Sequence, residues 1–222
     1  MKKKKILFKK LVMFIFATAL LILPVNAAQA SVKSDADNML KYYKKGNISK
    51  AKQYNKKLPK NASKTCIKKL SKNAKNAYKK TVKKYKRNAP LGKEYLWGYY
   101  LVDMDGDKKA ELLVRHGTCE ADVRTTIYTY KSGKVKKITE TYSGHEGYYA
   151  YPGHAGVICV SGHMGYENVA TMVIKKGKAV VKSYGGRDLN KGGDYFPFKQ
   201  ALYLHIKYDK NYKSSVDYKD LQ

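Results

Sequence analysis

The chain has 222 residues, 43% of them hydrophobic, and a formal charge of +29 from 46 Lys/Arg against 17 Asp/Glu. That length suits one β-rich domain with an appendage and a properly buried core, and three cysteines (Cys66, Cys119 and Cys159) are too few and scattered for a disulfide scaffold. The basic residues are nearly all lysine, which lacks the guanidinium fork that reads base edges, so the composition argues against sequence-specific nucleic-acid recognition.

Residues 1–30 read as a signal peptide. Lys2 to Lys5, Lys9 and Lys10 form a positive start, Leu11 to Leu23 an apolar run, and Ala28-Gln29-Ala30 a small-residue cleavage pattern after Pro24. The apolar run is shorter than the ~20 residues a spanning helix needs. The expected product is secreted, with no transmembrane segment after cleavage, and is free or associated with a Gram-positive cell envelope.

Residues 31–92 read as a lysine-rich helical segment. Ser34 and Asp37 suggest a cap, Ala36, Met39, Leu40 and Tyr43 an apolar stripe, and Gly46 a stop. Ile48, Ala51, Tyr54 and Leu58 space a second helix that stops before Pro59. Ile67, Leu70, Ala74, Ala77, Tyr78, Thr81, Val82 and Tyr85 recur at three- and four-residue steps and predict a third, with lysines opposite. Residues 31–90 hold twenty Lys/Arg and only two acids, Asp35 and Asp37. A block of that kind attracts polyanions through its field and through counterion release; outside a bacterial cell, anionic wall polymer is the nearest such partner.

From Tyr95 the period changes to two, and residues 93–222 read as a β-rich domain. YTYKSGKVKK and MVIKKGKAVVK look like one hairpin unit used twice, with Gly133 and Gly177 44 residues apart. The expected architecture is α+β: N-terminal basic helices followed by a twisted antiparallel β-meander or sandwich. Phe198 to Tyr208 fits a helix or a last strand, and helix is preferred. If one pair forms, Cys119 with Cys159 is the most plausible, since both fall in this half; isolated buried thiols are at least as good a reading.

The most specific chemistry lies in DMDGDKKAE, residues 103–111. Four carboxylates within nine residues repel one another unless a cation sits among them, and oxygen ligands at loop positions 1, 3, 5 and 9 can wrap a hard divalent ion. LVDMDGDKKAELLV resembles the acidic strand–loop–strand of FG-GAP and VCBS-type repeats. That resemblance implies calcium ligands at Asp103, Asp105, Asp107 and Glu111, and a loop serving to pin a hairpin. Lys108 departs from the pattern, since the family usually has glycine there. A lysine is less able to take a left-handed backbone and adds positive charge, so weak calcium binding, millimolar to sub-millimolar, is expected. The alternative is an Asp-rich turn whose carboxylates pair with nearby lysines.

Gly-His occurs three times at nine-residue spacing, at His145, His154 and His163. In an up-and-down meander, His145 and His163 would share an edge two strands apart, about 10 Å, with His154 at the far end. That spacing argues against one shared zinc ion. Tyr148, Tyr149, Tyr151 and Tyr166 in the same stretch can stack on a carbohydrate or protein ligand, or fill the core.

No nucleophile motif surrounds the cysteines, so a non-enzymatic binding protein is the preferred reading. The alternative is a secreted hydrolase of wall polymer or peptide using His163, Cys119 and Glu167.

Overall fold

The computed structural model describes residues 27–62, 70–85, 95–199 and 202–204. Most of the expected signal peptide, Cys66 and Ile67 lie outside these residues, as does most of the ambiguous 198–208 segment.

The first helix, α1, is described over 27–44. It already runs through Ala27-Ala28, good helix formers, so Ser34 lies inside it and not at its cap. Its end is as expected: Gly46 takes φ 71°, the left-handed conformation that closes a helix. The second helix, α2 (Ile48–Lys57), is capped by Asn47, whose side chain accepts the Lys50 N–H. The third, α3 (Lys72–Val82), starts at Ser71, whose hydroxyl accepts the Ala74 N–H. No helix among the described residues is long and apolar enough to cross a membrane.

Among the described residues, eight strands follow in two sheets. The first is β1 (Tyr95–Val102), β2 (Glu111–Gly117), β3 (Arg124–Lys131) and β4 (Lys134–Tyr142), paired antiparallel in chain order. The second repeats that order with β5 (Glu146–Ala150), β6 (Val157–His163), β7 (Tyr166–Lys175) and β8 (Lys178–Asp188). The two glycines seen in sequence occupy the same place in each copy, the turn between third and fourth strands. Ser132-Gly133 have φ 52° and 77°, and Lys176-Gly177 have φ 49° and 71°. Two successive positive φ angles make the turn whose twist matches that of the strands it joins.

Three clusters hold these parts together. Tyr100, Val102, Leu113 and Ile127 of the first sheet share one buried cluster with Tyr148, Val157, Met172 and Ile174 of the second. On its other face the second sheet packs Ile158, Val169 and Tyr184 against Met39, Leu40 and Tyr43 of α1 and Ala51 of α2. The first sheet packs Leu112 and Val114 against Tyr78 of α3. Successive residues of β2 therefore face different clusters, which explains why Glu111-Leu112-Leu113-Val114 is buried throughout instead of alternating. Each large apolar side chain so buried contributes about 1.5–3 kcal/mol. Near the C-terminus, Tyr203 bridges Tyr149 and the Leu204 N–H donates to the Tyr148 carbonyl at 3.0 Å. Of the described part of 198–208, Tyr203 and Leu204 thus lie along β5, as in the strand alternative, whereas Leu202 closes a 3-10 turn by donating its N–H to the Lys199 carbonyl at 2.8 Å.

Candidate functional site

The β1–β2 turn gathers the acidic loop. Oxygens of Asp103, Asp105 and Glu111 all lie within 4.8 Å of one another, the span that two ligands at calcium distance, about 2.3–2.6 Å each, can bridge. Asp103 shapes the turn by accepting the Gly106 N–H at 2.7 Å and the Lys108 N–H at 3.0 Å. Lys108 takes φ 66°. The backbone conformation that the glycine pattern supplies is therefore present with lysine in its place, at the strain a left-handed non-glycine residue carries. Asp107, the fourth of the expected quartet, is not among the three gathered carboxylates. Its carboxylate accepts the backbone N–H of Lys109 at 2.8 Å and that residue's ammonium at 3.1 Å, so it is engaged locally. Burial opposes ionisation of Asp107, but the Lys109 N–H and ammonium outweigh it and hold the carboxyl below its ordinary range.

Glu111 is different. It is 2% exposed and accepts the Met104 N–H at 2.8 Å and the Thr129 hydroxyl at 3.0 Å. Burial, reinforced by the charges of Asp105 and Asp107, pushes its carboxyl up to about 7 despite those two hydrogen bonds. Backbone bonds from Gly156 N to the Asp103 carbonyl (2.8 Å) and from Ile174 N to the Met104 carbonyl (2.7 Å) tie the loop to the second sheet. Hard oxygen donors on a short, well-anchored turn fit calcium chemistry.

The histidines separate into two places. His154 lies in the β5–β6 turn, stacked on Tyr151 at 3.9 Å, with Nε2 3.0 Å from the Asp37 carboxylate of α1. His145 and His163 stack directly, centroids 4.2 Å apart at 20°. The expected 10 Å separation is wrong because His145 immediately precedes β5 and His163 closes β6, and these strands are immediate antiparallel neighbours. Around them lies a cleft of about 280 Å³ lined by residues including Tyr142, Glu146, Ser161, Tyr166 and Asn168. Of the four tyrosines singled out in sequence, Tyr148 and Tyr151 are buried and Tyr149 packs on Phe198 and Tyr203; only Tyr166 is open to a ligand. Tyr142, outside the run of interest, was the missed partner, and its period-two place at the end of β4 was its signal.

The hydrolase trio is not brought together. Glu167 is fully buried on the α1 side, accepting from the Tyr43 hydroxyl (2.8 Å) and the Phe196 N–H (2.7 Å), with Arg187 Nη1 at 3.4 Å. Cys119 is exposed at the start of a short 3-10 turn (Glu120–Asp122). Neither lines the cleft beside His163. Cys119 and Cys159 are both free, the latter buried, so the expected pairing is absent; burial raises the Cys159 thiol well above its ordinary range.

Lysines occupy the solvent faces of the helices, including Lys41 and Lys44 of α1, Lys52 and Lys56 of α2, and Lys75, Lys79 and Lys80 of α3. Compared with protein families, with curated proteins and with solved structures, the chain matches none.

Proposed function

We propose that this is a secreted, envelope-associated binding protein whose lysine-rich helices hold anionic polymer and whose β-domain is pinned by calcium. The observation that carries the reading is the uncompensated charge on the helices. Among the described residues, no ion pair joins a lysine of α1, α2 or α3 to a carboxylate. Asp37, one of the two acids of that region, is turned toward Tyr151 and His154 of the β-domain. Unpaired ammonium groups on a surface are free to replace the counterions of a polyphosphate or similar chain. The gathered oxygens of Asp103, Asp105 and Glu111 and the left-handed Lys108 support weak calcium binding and an FG-GAP-like hairpin, in paired sheets read as a sandwich.

The test is retention of the full chain on immobilised inorganic polyphosphate. Retention should fall steeply and log-linearly with salt. It should also drop when Lys52, Lys56, Lys75 and Lys79 are changed together to glutamine, exposed positions whose loss leaves the core intact. Retention indifferent to both would overturn the reading.

A further inference from the structure

The second sheet changes character along its inner face. Tyr148, Cys159 and Ala170 belong to the core shared with the first sheet. Two residues further along each strand, on the same face, stand Glu146, Ser161 and Asn168, and beyond them His163 and Tyr166. The apolar layer thus runs out into a polar cleft at the strand ends, and these five residues, with His145 and Tyr142, line it.

Several features mark the cleft as built. Tyr142 and Tyr166 are 60% and 45% exposed and Met164, in the turn joining His163 to Tyr166, is 83% exposed. Among the described residues, these are three of six exposed large apolar side chains, so half of that surface gathers at one place, the pattern of a binding site. Both tyrosine rings rest on glycine. A Cβ on Gly186 would stand 2.6 Å from the Tyr166 ring, and one on Gly144 would collide with the Tyr142 ring. His145 itself holds φ 54°, an uncommon backbone for a non-glycine residue, while its Nδ1 lies 3.4 Å from Glu120.

The charge of the lining is the second clue. In a chain of +29, no lysine or arginine among the described residues lines this cleft. The neighbouring Arg115 donates to the Ser143 carbonyl at 2.9 Å. The lining instead offers a carboxyl (Glu146), an amide (Asn168), a hydroxyl (Ser161) and two imidazoles between aromatic faces. Burial raises the Glu146 carboxyl against the opposing effects of its hydrogen bonds with Tyr148 and Cys159 and of the nearby Arg115 charge. An anion would meet the Glu146 carboxyl, and the Arg115 charge that bears on Glu146 is not part of the lining. An extended peptide would want a strand edge; of the second sheet's strands at the cleft, β5 is bridged at Tyr149 by Tyr203, and β6 and β7 are inner strands.

We propose that this cleft binds a neutral glycan, one or two sugar rings at a time, with pyranose C–H faces against Tyr142 and Tyr166 and hydroxyls bonded to Glu146, Ser161, Asn168 and the histidine pair. Its size, about 280 Å³, sits near the lower end of the roughly 300–1,000 Å³ of small-molecule sites. Ring stacking and planar hydrogen-bonding groups suit a sugar because its C–H face is apolar and its edge polar. The proposal is separate from polyanion binding by the helices.

The probes are tri-N-acetylglucosamine and cellotriose, titrated into the full chain by calorimetry and saturation-transfer NMR. The expected result is saturable millimolar binding of at least one of them, little changed by salt. Tyr166→Ala and Asn168→Ala, both at exposed positions, should each weaken it about tenfold, roughly the value of one lost stacking or hydrogen-bonding contact, with the melting temperature unchanged. The helix lysine-to-glutamine variant should bind the sugars as well as wild type, so that failure of the polyanion reading leaves this one standing. Absence of binding by both probes, binding indifferent to both cleft variants, or shifts at the cleft produced by a peptide and not by a glycan would each overturn it.

Discussion

Replacing Glu111 with glutamine separates the proton from the ion at the acidic loop. In calcium-free protein, burial holds the Glu111 carboxyl at about 7 against an ordinary 4.5. A folded value raised above the unfolded one means that the folded chain binds the proton more tightly. The resulting stabilisation is fully present below about 4.5 and is lost as pH rises through about 7. Each pH unit is worth about 1.4 kcal/mol, so the whole interval carries on the order of 3 kcal/mol. For a chain of this size, that corresponds to about 6–12 °C in Tm. Glutamine reproduces the protonated carboxyl. Its oxygen can accept the Met104 N–H while its amide donates to the Thr129 hydroxyl, which rotates to receive it. Thermal melts in chelator at about pH 5 and about pH 8 should therefore show wild type losing more stability than Glu111→Gln across the interval, by on the order of 3 kcal/mol. Millimolar calcium should restore wild type at the higher pH, because the ion takes the place of the proton, and should leave Glu111→Gln unmoved. Equal pH slopes for the two proteins would refute the account of Glu111. Equal calcium shifts would remove it from the ligand set.

Two further expectations concern stability. Glu167→Ala strips acceptors from the Tyr43 hydroxyl, the Phe196 N–H and the Arg187 guanidinium; urea unfolding should show a loss of about 3–5 kcal/mol, and a loss below about 1 kcal/mol would mean water or another group takes over. Gly156→Ala should also destabilise, by about 3 kcal/mol or more, because Gly156 sits at φ 90° and a Cβ there would run into the Met172 carbonyl. A variant as stable as wild type would show that the loop can shift away from β7.

Period and punctuation were legible in the sequence. The stripe of Met39, Leu40 and Tyr43, the stop at Gly46 and the Gly133 and Gly177 turns all follow from local geometry, since each needs only a few neighbouring residues to satisfy its backbone. Asp103, Asp105 and Glu111 come together for the same reason, being held by one short turn. Asp107 bonds instead to the adjacent Lys109, and composition does not decide between that partner and an ion. The cysteine pairing failed similarly: sequence supplied two thiols in one half of the chain, whereas Cys159 is packed inside a core and Cys119 lies on the surface.

What the sequence determined by itself was the set of elements: three helices with one apolar stripe each, an antiparallel β-region with one hairpin unit used twice, an acidic turn and a surplus of lysine at the N-terminal end. What only tertiary structure decided was which faces meet. The two sheets share a core through residues far apart in the chain, Leu113 with Met172 among them, and the helices cover the opposite faces. The pairing of β5 with β6 brings His145 onto His163, eighteen positions away. Such contacts depend on burying complementary apolar surface across long loops, a property of the packed whole that no local pattern carries. The cleft arises from the same packing, at the place where the inner face of the second sheet turns from core to polar residues.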